Sequence, residues 1–249
     1  MKLSDNLALL DTLQKSEVMG LPIHLSDDYI SWLRSRLQQK QGTHIVTLNS
    51  EMAMMARDDQ FLADIIREAD LVIPDGSGVI LYLRLRQQKQ QRCPGIELAQ
   101  SLLQMASTQE NACPVIFYGA KPGVAAQAAS IWQQRVPSLS ITAVHGYLSS
   151  EEQAIFKQTL EEQQPSIIFV GLGVPRQELW IRQHRHLCPN AIWVGVGGSF
   201  DIWAGVKSRA PLWLRNNHLE WLYRLYQEPW RWQRMLVLPQ FAFRALIER

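Results

Sequence analysis

Short apolar runs alternate with helical segments through the second half of the chain, and this alternation restricts the possible folds more than any other feature. The predicted strands are residues 115–118, 139–144, 167–170 and 191–196, and the predicted helices are residues 124–135, 149–163 and 175–187. Strands that alternate with helices form a parallel sheet, because each helix returns the chain across one face by a right-handed crossover. The sequence therefore predicts an α/β fold with a doubly wound, mostly parallel, Rossmann-like sheet.

The first half of the chain adds strands and helices to the same sheet. We expect an edge strand at residues 18–23, strands at 44–47 and 71–73, and helices at 26–39, 52–57, 59–68, 77–86 and 96–107. These elements and those of the second half form one α/β core, residues 1–210. Residues 211–249 differ in composition and are predicted to be a helical appendage.

Asp75 directly follows a buried strand and precedes a helix, which places it at the rim of the sheet. Pro74 ends the strand because it has no N–H for the ladder, and Gly76 and Gly78 permit turn geometry that a Cβ would hinder. In open α/β folds, ligands bind beyond the carboxyl ends of the strands. Asp75 is therefore a candidate general base, although an Asp-Gly pair also favours turns that have no catalytic role.

Thr47 and Asn49 occupy a second strand-to-helix turn of the same kind. Asn49 is either the cap of the following helix or a ligand contact. Arg92 precedes Cys93-Pro-Gly95 and another helix, and it is either a surface charge or a phosphate clamp.

Glycines follow three of the predicted strands, at Gly119, at Gly171 and in the run Gly195-Val-Gly-Gly198. Glycine at a strand end lets backbone N–H groups approach a ligand, and the N-terminus of the next helix favours anions. This combination suits a nucleotide diphosphate. The dinucleotide fingerprint is incomplete, because Gly171-Leu-Gly173 continues to Arg176 where the pattern requires glycine.

Polar side chains lie just inside the helices that follow the last two glycine turns. Gln177 offers an amide that can bind sugar hydroxyls, although Gln177-Glu178 is also an ordinary first helical turn. Asp201 is either a helix cap or a ligand contact.

The composition is that of an ordinary globular protein, with 47% apolar and 19% charged residues. A net charge of +2 does not indicate a nucleic-acid partner. Three irregularly spaced cysteines favour a reducing compartment, and His184, His186 and Cys188 point to different sides of a predicted helix, so we expect no metal site.

The chain begins without the apolar run of a signal peptide and has no run of ~18 apolar residues that could span a membrane. We therefore expect a cytoplasmic protein that meets a membrane only from the side.

Residues 211–249, called the tail below, combine arginine with aromatic side chains. They hold six arginines against three glutamates, and they carry four of the nine tryptophans, Trp213, Trp221, Trp230 and Trp232. Pro229 divides two predicted helices, residues 211–227 and 230–245. The pattern is typical of helices in a bilayer interface near anionic lipid, and also of a helix pair packed on the sheet with its aromatics in the core.

Several ordered blocks resemble the WecG/TagA/CpsF family of bacterial glycosyltransferases, glycosyltransferase family 26. The blocks are Thr47-Leu-Asn-Ser-Glu51, Pro74-Asp-Gly-Ser-Gly78, Gly146-Tyr147, Gly171-Leu-Gly-Val-Pro-Arg-Gln-Glu178, Gly195-Val-Gly-Gly-Ser-Phe-Asp201, Arg209-Ala-Pro211 and Leu219-Glu-Trp-Leu-Tyr-Arg224. They extend over nearly the whole chain. Leu48, Ser50 and Cys93-Pro94 depart from the usual pattern, and Trp230 replaces a small residue beside Arg231.

The resemblance implies an inverting, metal-independent transfer of a sugar from a UDP-sugar to a polyprenyl-diphosphate-linked acceptor in cell-surface polysaccharide or teichoic acid synthesis. N-acetylmannosamine or another hexose would be transferred, and no cofactor would be needed. Asp75 would be the base with Thr47 beside it, and Arg224 and Arg231, on an appendage bound to the inner face of the cell membrane, would close over the diphosphate. The other substrate-binding positions would be Asn49, Gly76, Arg92, Gly119, Gly171, Gln177, Glu178, Gly198 and Asp201.

Two other classes stay open on the residues alone. One is a nucleotide-dependent Rossmann-type oxidoreductase, which the alternating fold would suit. The other is a non-catalytic, membrane-associated scaffold, which the aromatic tail would suit. Away from a membrane, the same aromatic residues would favour a homo-oligomer.

Overall fold

The computed structural model describes residues 13–109 and 113–247. Residues 1–12 of the predicted core and the last two residues of the predicted appendage lie outside the described residues. The strands are β1 Gln14–Val18, β2 Leu21–Leu25, β3 Thr43–Leu48, β4 Leu71–Pro74, β5 Val115–Gly119, β6 Ile141–Val144, β7 Ile167–Gly171 and β8 Ile192–Gly195. The helices of the core are α1 Tyr29–Gln38, α2 Ser50–Asp58, α3 Gln60–Glu68, α4 Ser77–Leu85, α5 Gly95–Ser107, α6 Val124–Arg135, α7 Ser150–Gln163, α8 Arg176–His184 and α9 Ser199–Trp203. Those of the tail are α10 Leu212–Asn216, α11 Glu220–Gln227, α12 Trp232–Met235 and α13 Val237–Ile247.

Six parallel strands form the central sheet in the order β4-β3-β8-β7-β5-β6. Successive residues of a strand point to opposite faces, so in β5 Val115 and Phe117 enter one core and Ile116 and Tyr118 the other. Both faces are buried under helices, as is usual for parallel sheets. The predicted α/β class with a doubly wound, Rossmann-like sheet is confirmed.

The pairing register brings the ends of β3 and β4 together, since Leu48 pairs with Pro74. The two strand-to-helix turns therefore leave the sheet side by side. Their backbones are so close that a Cβ added at Gly76 would lie 3.0 Å from Cβ of Asn49. β8 pairs with β3 on its other side and brings the Gly195 turn to the same rim.

The N-terminal segment differs from the single strand predicted at residues 18–23. β1 and β2 form an antiparallel hairpin, in which Val18 pairs with Leu21. Its two-residue turn has positive φ angles of 53° at Met19 and 73° at Gly20, the geometry of a tight hairpin turn that glycine favours. The hairpin is joined to the edge of the main sheet by Nδ1 of His24, which accepts the backbone N–H of Val72 at 3.0 Å.

In its described residues, the tail forms four α-helices and one turn of 3-10 helix, Pro229–Arg231, where two helices were predicted. Its last helix, α13, returns to the core and packs against α2 and α4, with Phe241 and Ala245 almost fully buried. These two residues lie four apart and share one helix face, which explains why the end of the tail is held against α2 and α4. In the described part of the chain, no helix has the length and apolarity to cross a membrane.

Candidate active site

A cleft of about 490 Å³ opens at the carboxyl ends of β3, β4 and β8, between the core and the tail. The predicted site residues that line it are Thr47, Asn49, Asp75, Gly76, Arg92, Gln177, Gly198, Arg224 and Arg231. The core supplies mainly the polar groups of the strand-to-helix turns, and the tail supplies charged side chains. Residues from widely separated parts of the sequence thus meet at the rim of the sheet.

The carboxylate of Asp75 is held by the backbone around it. Its own N–H donates to the carbonyl of Leu48 at 2.9 Å, and its Oδ1 accepts the backbone N–H of Gly95 at 2.9 Å. The segment before α5 is fixed to the same strand end, because the N–H of Cys93 donates to the carbonyl of Pro74 at 2.9 Å. The side chain therefore has one defined orientation at the floor of the cleft.

Burial raises the pKa of Asp75 above its ordinary value. The hydrogen bond from Gly95 and the positive charges of Arg224 and Arg92 act in the opposite direction, whereas the negative charge of Glu220 adds to the rise. A carboxylate with a raised pKa takes up a proton more readily than a solvent-exposed one. The electrostatics of the site thus suit a general base.

Thr47 and Asn49 lie next to Asp75 on the β3 side. Thr47 is buried, and its hydroxyl is 3.5 Å from the carbonyl oxygen of Gly195. Asn49 caps α2, because its Oδ1 accepts the N–H of Met52 at 3.0 Å, and it also lines the cleft. The two roles considered for Asn49 are therefore compatible.

A buried hydrogen-bond chain fixes the glycine turn after β8. Oε1 of Gln177 accepts the N–H of Gly197 at 3.0 Å, and Nε2 of the same amide donates to Glu178 at 3.0 Å. Glu178 is fully buried and contacts Nε2 of His44 at 2.9 Å. Glu178 thus lies behind Gln177 and orients its amide, and it does not line the cleft.

Gly119 and Gly171, predicted to bind substrate, lie outside the lining of the cleft because they serve the packing of the strand ends. A Cβ at Gly119 would lie 2.4 Å from the carbonyl oxygen of Gly171, and one at Gly171 would lie 2.7 Å from the ring of Phe200. Asp201 also lies outside the lining. Its carboxylate is within 3.9 Å of Nζ of Lys207.

Glutamates pair with several basic side chains of the cleft. Nη1 of Arg92 is 3.2 Å from Glu220, and Arg231 is 3.3 Å from Glu228 and 3.4 Å from Glu51. Basic groups that would attract an anionic substrate are thereby held in defined positions before any substrate binds.

Arg224 differs from these arginines, since its side chain makes no hydrogen bond or ion pair with the residues that the structure describes. It is exposed on α11, it lines the cleft, and its charge acts on Asp75. Its side chain is therefore available to a ligand.

Seven charged residues of the cleft were not predicted as site residues: Glu51, Arg176, Lys207, Arg209, Glu220, Glu228 and Arg234. Four of them, Glu51, Arg176, Arg209 and Glu220, stand inside the blocks that carry the family resemblance, so a signal for them was present. The described residues contain no group of three His, Cys, Asp or Glu side chains arranged to hold a metal ion.

Known proteins with a similar sequence are consistent with this site. The family model described as the glycosyl transferase WecG/TagA/CpsF family matches residues 16–249. The chain belongs to the WecG/TagA/CpsF family. The resemblance noted from the sequence blocks is confirmed, and this member of the WecG/TagA/CpsF family is a glycosyltransferase. The oxidoreductase and scaffold alternatives are thereby set aside.

Three relatives of this WecG/TagA/CpsF protein are named N-acetylglucosaminyldiphosphoundecaprenol N-acetyl-beta-D-mannosaminyltransferase. The protein of Bacillus subtilis is 35% identical over 88% of this chain and 86% of its own length. That of Bacillus spizizenii is 35% identical over 93% of this chain and 86% of its own, and that of Staphylococcus aureus (strain MRSA252) is 36% identical over 83% and 81%.

Proposed function

We propose that this glycosyltransferase moves N-acetylmannosamine from its UDP-linked form to N-acetylglucosamine on undecaprenyl diphosphate. The names of the relatives support both the sugar and the acceptor. The observation that carries the proposal is the carboxylate of Asp75 at the floor of a cleft whose other walls bear arginines. A base and a set of cations on one cleft are what transfer from a nucleotide diphosphate requires.

In the proposed reaction, Asp75 accepts the proton of an acceptor hydroxyl as the oxygen attacks the anomeric carbon of the donor. The bond from that carbon to the β-phosphate oxygen breaks, and UDP leaves with the electron pair. Attack from the face opposite the leaving group inverts the anomeric centre, so an α-linked donor gives a β-linked product. General-base assistance of this kind contributes ~10²–10⁴ to the rate.

The departing diphosphate gains negative charge, and arginines stabilise it. Arg224, Arg231 and Arg92 line the cleft, and a guanidinium group can bind two phosphate oxygens at once. Gly198, in the turn after β8, also lines the cleft, so its backbone can contact the same oxygens. We propose that these groups supply the needed positive charge without a metal ion or other cofactor.

The tail supports a peripheral position on the inner face of the cell membrane. Trp213, Trp230, Trp232 and Tyr226 are more than half exposed, with Trp230 at 72% and Tyr226 at 81%. Arginines lie between these aromatic residues, a combination that suits the headgroup region of an anionic bilayer. In this arrangement the lipid-linked acceptor enters the cleft from the membrane side.

The proposal is tested with the full-length protein and a panel of UDP-sugars, each mixed with a synthetic lipid diphosphate that ends in N-acetylglucosamine. We expect transfer from UDP-N-acetylmannosamine and a β-linkage by the one-bond C–H coupling of the new anomeric carbon. Transfer from another UDP-hexose alone would correct the donor. No transfer from any of them would overturn the proposed function.

A further inference from the structure

Glu220 brings a negative charge into a cleft that otherwise suits an anionic substrate. It stands in the first turn of α11 and lines the cleft, and its side chain is only 20% exposed. A carboxylate in this position repels a diphosphate, so we expect Glu220 to have another role that offsets this repulsion.

The carboxylate of Glu220 joins the tail to two separate segments of the core. One oxygen is 3.2 Å from Nη1 of Arg92, which precedes α5, and the other is 3.5 Å from Nε of Arg209, which follows α9. Arg209 is held from its other side by Glu97 at 2.6 Å. Glu220 is therefore fixed between two arginines.

Arg92 is close enough to Asp75 for its positive charge to act on that carboxylate. A direct ion pair between Arg92 and Asp75 would favour the ionised carboxylate and weaken it as a base. The contact with Glu220 gives Arg92 another partner.

The groups that act on Asp75 come from two directions. From the core side these are the N–H of Gly95 and the charge of Arg92. Burial raises the pKa of the neighbouring Cys93 thiol to about 12, so Cys93 stays neutral and adds no charge. From α11 they are Arg224 and Glu220. Among the described residues that act on Asp75, Glu220 supplies the opposing negative charge.

We propose that Glu220 is a positioning residue for the transfer reaction, which pairs with Arg92 and so holds it away from the base Asp75. This inference rests on the proposed role of Asp75. By this inference, the tail affects the base Asp75 through Glu220, in addition to any contact of its arginines with phosphate.

The test replaces Glu220 with glutamine and follows Asp75 in two ways. Asp75 is titrated by carboxyl ¹³C NMR of aspartate-labelled full-length protein, with Asp75→Asn for assignment, and the pH dependence of kcat/KM is measured for transfer. In Glu220→Gln we expect Asp75 to titrate at lower pH, the acidic limb of kcat/KM to move the same way, and kcat to fall roughly tenfold while the donor KM does not rise. Glu220→Asp keeps the charge and should restore the titration in part.

Glu97→Gln is the matched control, because it removes a carboxylate from the same Arg209 network that is not among the groups acting on Asp75. Its Asp75 should titrate as in the unmodified protein. In a variant that already carries Arg92→Gln, the further change Glu220→Gln should shift the titration of Asp75 less. Arg92, one of the two arginines that pair with Glu220, is then already absent.

An unchanged or higher titration of Asp75 in Glu220→Gln would overturn the inference, as would equal shifts in Glu220→Gln and Glu97→Gln. The NMR titration requires no turnover. If the protein transferred no sugar, the proposed function would be refuted. The titration of Asp75 would still show whether Glu220 acts on it.

Discussion

The backbone N–H of Gly95 donates to the carboxylate of Asp75 over 2.9 Å, and so connects the start of α5 to the end of β4. Gly95 can approach this closely because it has no side chain: a Cβ there would lie 2.8 Å from Cγ2 of Thr47. The two residues and Thr47 form one unit, in which the strand ends and the helix start fix a single carboxylate.

Replacement of Asp75 by asparagine should abolish most of the transfer without unfolding the protein. The amide oxygen of asparagine can still accept the Gly95 N–H, but the side chain cannot take up the acceptor proton. We expect kcat to fall by about 10²–10⁴, with UDP binding by calorimetry and the melting temperature nearly unchanged. Full activity in this variant would exclude Asp75 as the base.

A Gly95→Ala substitution should disturb the contacts between Gly95, Asp75 and Thr47. The new Cβ meets Thr47, so α5 must move and the hydrogen bond to Asp75 must lengthen. We expect a loss of about 1–3 kcal/mol in the free energy of unfolding, as for other overpacked sites, together with lower kcat. Thr47→Ser on this background removes the methyl group that clashes and should recover part of the stability; no recovery would argue against the contact.

The strand ends were predicted well from the sequence, because each of these strands is marked by an apolar run and by the turn residues that follow it. Asp75, Thr47 and Asn49 could be placed in this way. His44 could not, since its contact with Glu178 joins positions 134 residues apart and leaves no local pattern. Likewise, glycine marks a strand end both where a ligand approaches and where two strands pack, so Gly119 and Gly171 looked the same as Gly198.

The tail shows a further limit of sequence patterns. Its alternation of arginine and aromatic residues suits both a membrane surface and a packed helix. In the structure, Phe241 is buried in the core whereas Trp230 is 72% exposed, so neither pattern describes the whole segment. The pairing of glutamates with the cleft arginines depends on how the tail folds back, which the local sequence does not encode.

Arg224→Gln should reduce transfer while the fold is unchanged. The side chain is exposed and makes no hydrogen bond or ion pair with the described residues, so stability does not depend on it. If it stabilises the departing diphosphate, kcat should fall by roughly 10²–10³, and Arg224→Lys should recover little because lysine cannot bind two oxygens in one plane. Arg135→Gln, at the exposed end of α6 outside the cleft, is the control and should leave kcat unchanged. Equal kcat values in the two glutamine variants would contradict the assignment.

His24 should make stability fall in mild acid. Burial lowers the pKa of His24 from its ordinary 6.5, and Nδ1 accepts the N–H of Val72, so the folded protein keeps the ring neutral. The unfolded chain binds this proton at a higher pH than the folded one. The contribution of His24 is therefore fully present above pH 6.5 and is lost as the pH falls below it, with a slope of at most about 1.4 kcal/mol per pH unit.

Urea unfolding between pH 7.5 and 5.5 measures this loss. His24→Asn is the matched variant, because its amide oxygen can take the place of Nδ1 as the acceptor but does not titrate. We expect a shallower dependence on pH in His24→Asn than in the unmodified protein. Identical slopes would show that another group carries the acid sensitivity.

Loss of the exposed tryptophans of the tail should separate membrane binding from chemistry. Trp230 and Trp232 are 72% and 56% exposed, so their replacement by serine costs the core little. Each should contribute about 1.5–3 kcal/mol when buried in an interface, and the double variant should bind anionic vesicles at least tenfold more weakly in a flotation assay. Transfer to a short-chain, water-soluble acceptor should continue, whereas transfer to the acceptor in vesicles should fall. Ile155→Ser, which alters a 65% exposed apolar residue on α7, controls for general surface changes. Unchanged vesicle binding in the double variant would show that Trp230 and Trp232 do not attach the protein to lipid.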